Sequence, residues 1–554
     1  MKLSTTPAFP VSSDLRRKGA PAANLTRDRL VKSLSAVAVM SALTLMGAGA
    51  QAQTLRIANQ GDALSLDPHS LNESLQLSIA SNVYEGLTDR NKDLSLAPGL
   101  ATSWKQTSPS VWRFELRKNV QFHDGTPFTA DDVIFSFARA AGDGSDVKAK
   151  VNDIKELRKI DSHTIDIETK GPFPILPEVM ADVFIMSKKW SEDNKAEKPV
   201  DRRKGIENAA SFKTNGTGPY RVRERQPDVR TVFERSPNYW GKVDGNVKEV
   251  VFQPIANPAT RVAALLSEQV DVMEPIPVQD IPRINSSPNA RAIVGPEMRT
   301  IFLGMDQKRD ELLYSSVKGK NPFKDKRVRQ AFYQAIDINT IQRNVMRGAS
   351  KPTALMVGPG INGWTEAQDK RLPFDPEASK KLLAEAGYPQ GFEVTMNCPN
   401  DRYVNDAQTC QSVAANLARV GIKINLAAET KGTYFPKILR RDTSFYLLGW
   451  TPSTYDSHNA LNALMRCPDD KTGDGQFNLG SYCNAKVDEL TVKVQSEGDM
   501  AKRTEMIKEA FKIHAEEVGH LPLHQQSLAW GVSKKVELTQ RADNFMTFKW
   551  MSIK

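Results

Sequence analysis

The sequence predicts an α/β protein with two lobes. Its length of 554 residues exceeds what one hydrophobic core usually supports, so two or three domains are expected. Each half of the chain also alternates strand, helix and strand patterns, at 250–253, 258–268 and 270–273 and again at 392–397, 405–420 and 422–427. Such alternation is typical of parallel sheets, whose ligands bind in a crevice beyond the carboxyl ends of the strands.

Local signals predict the other elements in turn. Local patterns predict strands at 54–59, 221–225 and 445–450, and alternating residues predict a further strand at 164–168. Helices are predicted at 74–84, at 501–516 and, from apolar residues at helical spacing, at 328–336. Asp375 before Pro376 is typical of a helix start, and Gly387 of a left-handed helix end. The chain is expected to enter a new domain near residue 306.

Composition and charge narrow the class of protein. Hydrophobic residues make up 40% and charged residues 25% of the chain, which is typical of soluble globular proteins. The formal net charge is +10, of which +5 comes from seven Lys/Arg and two Asp in residues 1–52. The other basic residues are interspersed with acidic ones rather than clustered, so we expect no nucleic-acid partner.

Residues 1–52 are predicted to be a cleavable signal peptide. A basic stretch from Arg27 to Lys32 precedes an apolar run at 34–46, and Ala50-Gln51-Ala52 matches the A-x-A cleavage pattern. The apolar run is too short to span a membrane, and no cysteine at the cleavage site offers a lipid anchor. We therefore expect a freely soluble, exported protein. A helix packed in the core is the alternative for this segment.

The four cysteines are expected to form disulfide bonds, because export places them in an oxidising compartment. Four cysteines allow three connectivities, among which we favour the local pairs Cys398–Cys410 and Cys467–Cys483. Zinc binding is the alternative. No C-x-x-C spacing supports it, so no metal site is expected.

Residues 112–133 carry the strongest local pattern, WRFELRKNVQFHDGTPFTADDV. Apolar and charged residues alternate at its start, as in a strand with one buried face. Asp124-Gly125 marks a turn, where glycine adopts a positive φ without a Cβ clash. Thr129, with Asp132 three residues later, predicts a capping box at the start of a helix.

This segment closely resembles the signature of the family 5 solute-binding proteins of ABC importers, the dipeptide- and oligopeptide-binding proteins. That signature is roughly W-x-F-x-L-R-x-x-V-x-F-x-D-G-x-P-x-x-A-x-D-V. The strings T-G-P-Y at 217–220, S-P-N-Y-W at 236–240 and V-R-Q-A-F-Y-Q-A-I-D at 328–337 resemble further landmarks of the family. The resemblance covers essentially the whole chain after residue 52.

The resemblance implies the bilobal periplasmic-binding-protein fold (type II, cluster C), with an extra subdomain inserted in lobe I and a hinge between the lobes. The implied boundaries are 1–52 for the signal peptide, 53–86, 209–305 and 520–554 for lobe I, 87–208 for the inserted subdomain and 306–519 for lobe II. It also implies a soluble, monomeric periplasmic protein that delivers its solute to an ABC permease in the inner membrane. Neither a cofactor nor catalysis is expected.

A peptide is a zwitterion, so its buried site requires an anion and a cation. In the family, the arginine that binds the ligand's carboxylate lies in a loop after a strand of the second lobe. Residues 397–403, NCPNDRY, occupy that place and offer Arg402, whose planar fork suits a carboxylate. A solvated loop arginine is the alternative. Arg402→Ala is expected to lose affinity for carboxylates while melting normally.

The family's amine-binding aspartate is replaced here. Peptide binders carry G-W-x-x-D at the end of a strand, but this chain has Gly449-Trp450-Thr451-Pro452-Ser453. A serine accepts a hydrogen bond but cannot neutralise an ammonium group. Asp456, Glu73 or Asp306 is a candidate to replace the missing aspartate.

Two aromatic residues are candidates for the wall of the ligand site. Trp450 and Tyr455 lie near the end of the predicted strand at 445–450 and offer apolar or stacking surface. A core position is the alternative for Trp450. The proposed ligand is a peptide or peptide-like solute. Because Ser453 replaces the aspartate, glutathione, a modified peptide, haem or another small organic solute is the alternative.

An enzyme, a secreted serine acyl-transferase, is a remote alternative. Ser315-x-x-Lys318, Ser457-x-Asn459 and Lys471-Thr472-Gly473 match its three short motifs. The last of them lies in a polar, glycine-rich segment between two cysteines, where that class of enzyme requires a strand. We therefore expect no enzymatic activity.

Overall fold

The computed structural model of the protein describes residues 53–554, apart from Ser453, Tyr455 and the side chain of Arg203. The predicted signal peptide, residues 1–52, lies outside the described residues. Gln53–Lys554 form one compact unit. Within this described part, no helix is both long and apolar enough to cross a lipid bilayer.

The strands are, in chain order, β1 (Thr54–Asn59), β2 (Thr88–Arg90), β3 (Leu96–Pro98), β4 (Ala101–Ser108), β5 (Val111–Leu116), β6 (Ile154–Asp161), β7 (Thr164–Thr169), β8 (Tyr220–Gln226), β9 (Arg230–Arg235), β10 (Glu249–Pro254), β11 (Val272–Glu274), β12 (Ala290–Met305), β13 (Ser350–Pro352), β14 (Glu393–Pro399), β15 (Lys423–Glu429), β16 (Phe445–Trp450), β17 (Leu521–Ser533), β18 (Val536–Glu537) and β19 (Ser552–Ile553). The α-helices are Ser74–Ala80, Ala130–Ala141, Lys148–Val151, Leu176–Val179, Lys188–Asp193, Pro258–Leu266, Ile281–Asn285, Lys326–Ala335, Ile338–Thr340, Pro376–Glu385, Asp406–Ala418, Lys431–Leu439, His458–Ala460, Ala485–Ser496 and Met500–Glu516.

Within the described residues, a sheet of eleven strands has the order β15-β14-β16-β12-β17-β11-β1-β10-β9-β8, with β13 paired to β17. In each half, a central strand has parallel neighbours on both sides. β1 lies between β10 and β11, and β14 lies between β15 and β16. We call the half with β1 and β8–β11 the first lobe and the half with β14–β16 the second lobe. These parallel strands confirm the two predicted strand–helix–strand units.

Two long antiparallel strands, β12 and β17, join the lobes. β12 pairs with β17 and with β16 of the second lobe, while β17 pairs with β11 of the first lobe. Residues 297–305 of β12 are buried without interruption, because neighbouring elements cover both faces of the sheet there. Since the same two strands belong to both lobes, they are placed to act as the hinge of a bilobal fold.

A separate four-stranded sheet, β4-β5-β7-β6, packs against the helix Ala130–Ala141. The predicted strand, turn and helix are confirmed here. Phe114 of β5 is fully buried, and Gly125 has a φ of +86° in the turn. The N–H of Thr129 donates to Oδ2 of Asp132 over 2.9 Å, which completes the capping box. The segment that carries the family resemblance therefore supplies a strand of this sheet and the start of the helix that packs against it.

Candidate functional site

A cavity of about 130 Å³ lies between the lobes, beyond the carboxyl ends of the parallel strands. Residues from the segments after β1 and β14 and from the end of β16 line it, and Glu73, Arg402 and Trp450 are among them. Much of the remaining wall is apolar and includes Leu77, Phe435, Leu448 and Phe477. The cavity occupies the position that the sequence predicts for the ligand site of an α/β sheet.

Asp406, the first residue of the following helix, fixes the loop that carries Arg402. Oδ2 of Asp406 accepts the backbone N–H groups of Arg402 (2.9 Å) and Tyr403 (3.0 Å). Burial raises the pKa of Asp406 to about 7, even though these N–H groups and that of Ala407 favour its ionised form. The side chain of Arg402 therefore projects from a backbone that is fixed before any ligand binds.

Both predicted cysteine pairs lie at disulfide-bonding distance. The sulfurs of Cys398 and Cys410 are 2.00 Å apart and those of Cys467 and Cys483 are 1.91 Å apart. The first pair ties the end of β14 to the helix Asp406–Ala418. The loop of Arg402 lies between these two cysteines, so the disulfide restricts the same loop that Asp406 holds.

Glu73 approaches the cavity from the first lobe. Its carboxylate caps the helix Ser74–Ala80, where it accepts the backbone N–H groups of Leu75 (3.2 Å) and Gln76 (3.0 Å). An anion at this end of a helix interacts favourably with the helix dipole. The carboxylate therefore keeps one position and one orientation.

Glu73, Arg402 and Lys431 form a buried ion cluster that crosses between the lobes. Oε1 of Glu73 lies 2.6 Å from Nε of Arg402, and Oε2 lies 3.9 Å from Nζ of Lys431. The three side chains are at most 9% exposed. Burial alone would raise the pKa of Glu73, but the two cations and the capping N–H groups outweigh it and lower the pKa to about 2. Glu73 is therefore ionised at neutral pH.

Arg402 keeps hydrogen-bonding capacity in this cluster. Its Nε–H does not point along the short contact with Glu73, so the contact is an ion pair rather than an aligned hydrogen bond. Neither Nη1 nor Nη2 donates to any residue that the structure describes. The guanidinium carbon lies 4.9 Å from the centre of the Tyr403 ring. The terminal fork of Arg402 is thus available to an incoming anion.

Trp450 lies at the cavity and is also packed within the second lobe. It lines the cavity, and its Nε1–H donates to Oδ1 of Asn459 over 2.9 Å. Its ring centre lies 4.9 Å from that of Phe477, so the side chain is also packed against its own lobe. Ser453 and Tyr455, the other residues predicted from this strand end, lie outside the described residues.

The two aspartates considered as substitutes in the second lobe do not line the cavity. Asp456 is buried and its carboxylate accepts from Nε (2.8 Å) and Nη2 (2.7 Å) of Arg503. Burial opposes its ionisation, but Arg503 outweighs burial and lowers the pKa of Asp456. Asp306 accepts the N–H groups of Lys308 and Arg309 at the end of β12. Of the three candidates, only Glu73 borders the cavity.

Sequence reasoning missed two cations of this region. Lys431 follows β15, the parallel neighbour of β14, so the rule that singled out Arg402 applies equally to it. Arg299 lies on β12, inside its continuously buried stretch 297–305, and lines the cavity. A charged residue inside a buried strand was the available signal, since such a residue is rarely buried without a partner or a function.

Residues from the three motifs of the acyl-transferase alternative form backbone contacts or lie in a turn. Oγ of Ser315 donates to the backbone carbonyl of Glu393 and Oγ of Ser457 donates to that of Asn362. Lys471 lies in an exposed turn. None of these three residues lines the cavity between the lobes.

Comparisons with known proteins show the family and the fold. The family model described as "Bacterial extracellular solute-binding proteins, family 5 Middle" matches residues 95–472. The glutathione-binding protein GsiB of Escherichia coli (strain K12) is 25% identical over 519 residues, which cover 92% of this chain and 96% of that protein.

Solved structures share the fold. The periplasmic binding protein DppA from Helicobacter pylori, in complex with the peptide STSA, has a TM-score of 0.80 at 22% identity, covering 90% of this chain and 98% of that one. The binding protein AgaA from A. tumefaciens R10, in complex with agropinic acid, has a TM-score of 0.80 at 21% identity, covering 90% and 99%. The predicted bilobal α/β fold is confirmed.

Proposed function

The chain belongs to the family 5 bacterial extracellular solute-binding proteins, and on that premise we propose that it captures a peptide or peptide-like solute in the cavity between its lobes and delivers it to an ABC permease. The observation that carries the proposal is the position of Arg402, a buried arginine with an unengaged fork at the cavity. Two parallel hydrogen bonds from this fork match the geometry of a carboxylate.

Glu73 is our candidate for the ligand's ammonium group. It replaces the aspartate that is absent at Ser453 and lies beside Arg402, on the opposite lobe. An α-amino acid head group carries its two charges on one carbon, so this adjacent pair of opposite charges suits it. When the head group binds, its carboxylate faces Arg402 and its ammonium group faces Glu73. Glutathione, which the E. coli relative is named for binding, has such a head group.

The apolar wall fits the rest of a peptide-like solute. Trp450 supplies ring surface at the cavity, and we propose that Tyr455 extends it and that Ser453 offers a hydrogen bond. Asp456 has an indirect role in this proposal. Its ion pair with Arg503 fixes the segment after Trp450 instead of touching the ligand.

The cellular role follows from the family and the sequence signals together. We propose that residues 1–52 are removed on export, that 53–86, 209–305 and 520–554 form lobe I with 87–208 inserted, and that 306–519 form lobe II. The mature protein is then a soluble periplasmic monomer that serves a permease in the inner membrane. It performs no catalysis and holds no cofactor, since ligand capture needs only closure of the lobes.

Native mass spectrometry of the protein as purified tests this function, because tight binders retain their ligand. The expected result is a bound mass that denaturation releases, and calorimetric titration with the released solute should restore it. Arg402→Gln should abolish the bound mass, whereas Arg371→Gln, which changes a half-buried arginine away from the cavity, should retain it. A Soret band in the purified protein, or failure of glutathione and a dipeptide panel to bind, would contradict the proposal.

A further inference from the structure

A second arginine faces the same cavity as Arg402. Arg299 lies on β12, the strand shared by both lobes, and its side chain is 2% exposed. Its Nε–H donates to Oε1 of Glu297 over 2.7 Å. Oε2 of Glu297 in turn accepts from Nε2 of Gln526 over 2.6 Å, which fixes the carboxylate and therefore the guanidinium.

Arg299 and Arg402 have parallel surroundings. Each guanidinium lies beside a glutamate through its Nε atom, Glu297 for Arg299 and Glu73 for Arg402. Each lies close to the Tyr403 ring, with its guanidinium carbon 5.7 Å (Arg299) and 4.9 Å (Arg402) from the ring centre. The two cations therefore form a pair around one aromatic ring at the cavity wall.

Arg299 has a buried terminal nitrogen, Nη2. Among the residues that the structure describes, no group accepts a hydrogen bond from this nitrogen. Burial of an unsatisfied charged donor is costly, so a residue kept in this state is expected to meet an acceptor that the structure does not contain. The adjoining cavity is the space from which such an acceptor can reach it.

The glycine of the G-W string preserves this arrangement. A Cβ atom at Gly449 would lie 2.8 Å from Cε1 of Tyr403 and 3.1 Å from Cδ of Arg299. The N–H of Gly449 donates to the hydroxyl of Tyr403 over 2.9 Å, which holds the ring between the two guanidinium groups. Gly449 therefore lets the strand approach both side chains closely.

We propose that Arg299 and Arg402 form a two-guanidinium subsite that selects solutes carrying two carboxylates, one for each arginine. This inference rests on the proposed function, since it assigns the ligand class of the same cavity. A neutral or singly charged peptide leaves Arg299 without an acceptor. A dicarboxylate satisfies both forks with charge-assisted hydrogen bonds. Arg299 is then a specificity residue, and a purely structural role would give no such selectivity.

Calorimetric titration with two matched pairs of probes tests the inference. The pairs are glutathione with its glycyl monoethyl ester, and alanyl-glutamate with alanyl-glutamine. The wild type should bind the member with two carboxylates about tenfold more tightly, which corresponds to one charge-assisted hydrogen-bonding contact. The neutral double variant Glu297→Gln/Arg299→Gln should lose this preference and bind the one-carboxylate members within about threefold of the wild type.

The matched control is Asp67→Asn/Arg139→Gln, which removes a buried 2.6 Å ion pair that does not border the cavity. It should keep the preference. If the first double variant does not fold, Arg299→Lys provides the comparison, because it keeps the charge and loses the fork.

The outcomes separate the inference from the function on which it rests. Equal affinity of the wild type for both members of each pair would overturn the two-guanidinium subsite and leave the proposed function intact. A preference that survives loss of Arg299 would also overturn it. A wild type that binds none of the four probes would contradict both proposals.

Discussion

Replacing Glu73 by glutamine is expected to destabilise the protein more than replacing Arg402 by glutamine. Removing one partner of a buried ion pair typically costs about 3–5 kcal/mol. Arg402→Gln leaves Glu73 beside Lys431, at 3.9 Å, and its two capping N–H groups, so we expect the lower end, about 3 kcal/mol.

Glu73→Gln leaves two cations beside each other and removes the carboxylate cap. We therefore expect a loss of about 5 kcal/mol, at the upper end of the same range. The double variant Glu73→Gln/Arg402→Gln should cost less than the sum of the single variants, because each single change leaves a charge that the other removes.

Urea unfolding of the ligand-free protein at pH 7 measures these differences as changes in unfolding free energy. Thermal unfolding provides an independent ranking of the three variants. The sequence alone predicts normal melting for an Arg402 variant, whereas the buried ion pair predicts a lower melting temperature. If both single variants lost less than about 1 kcal/mol, the value of a solvent-exposed pair, the buried cluster would be refuted.

Three further predictions concern protonation, the segment after Trp450 and the missing aspartate. Burial raises the pKa of Glu274 to about 7 in the folded protein. The contribution of protonated Glu274 to the unfolding free energy is therefore fully present below pH 4.5 and is lost as the pH rises through 7. Glu274→Gln should therefore flatten the pH dependence of the unfolding free energy by about 3 kcal/mol between pH 5 and 9, and an unchanged profile in urea titrations would contradict this. Arg503→Met leaves Asp456 buried without its cation and should lower the unfolding free energy, measured in urea, by about 3–5 kcal/mol. The double variant Asp456→Asn/Arg503→Met should lose less, because it removes both charges, and equal losses would show that the two residues are not coupled. The family pattern alone predicts that Ser453→Asp tightens calorimetric binding of simple dipeptides, whereas an ammonium group held by Glu73 predicts no change; tighter binding would contradict the proposed role of Glu73.

Much of the fold follows from signals within a few residues of each other. Thr129 with Asp132 and Asp375 with Pro376 each specify a helix start, and the structure has both caps. The strands β12 and β17 were harder to predict, because their pairing joins residues more than two hundred positions apart. A register shift between Pro296 and Thr300 also breaks their pattern.

In the candidate site too, some residues follow from local sequence signals and others depend on contacts between distant parts of the chain. Arg402 was predictable because the carboxyl end of a parallel strand is a general position for ligand contacts. The ion pair of Asp456 with Arg503 was not predictable, since Arg503 lies 47 residues later and only the folded chain brings the two together. The ion pair of Glu73 with Arg402 joins opposite lobes, so no local sequence pattern predicts it.

A crystal structure of the protein with the solute that co-purifies with it tests the central claim most directly. The quantity to measure is the distance from the terminal nitrogens of Arg402 to the nearest carboxylate oxygen of the solute. We predict two contacts of about 2.7–2.9 Å, with Glu73 beside the solute's ammonium group. A solute bound in the cavity with no carboxylate within reach of Arg402 would contradict the account.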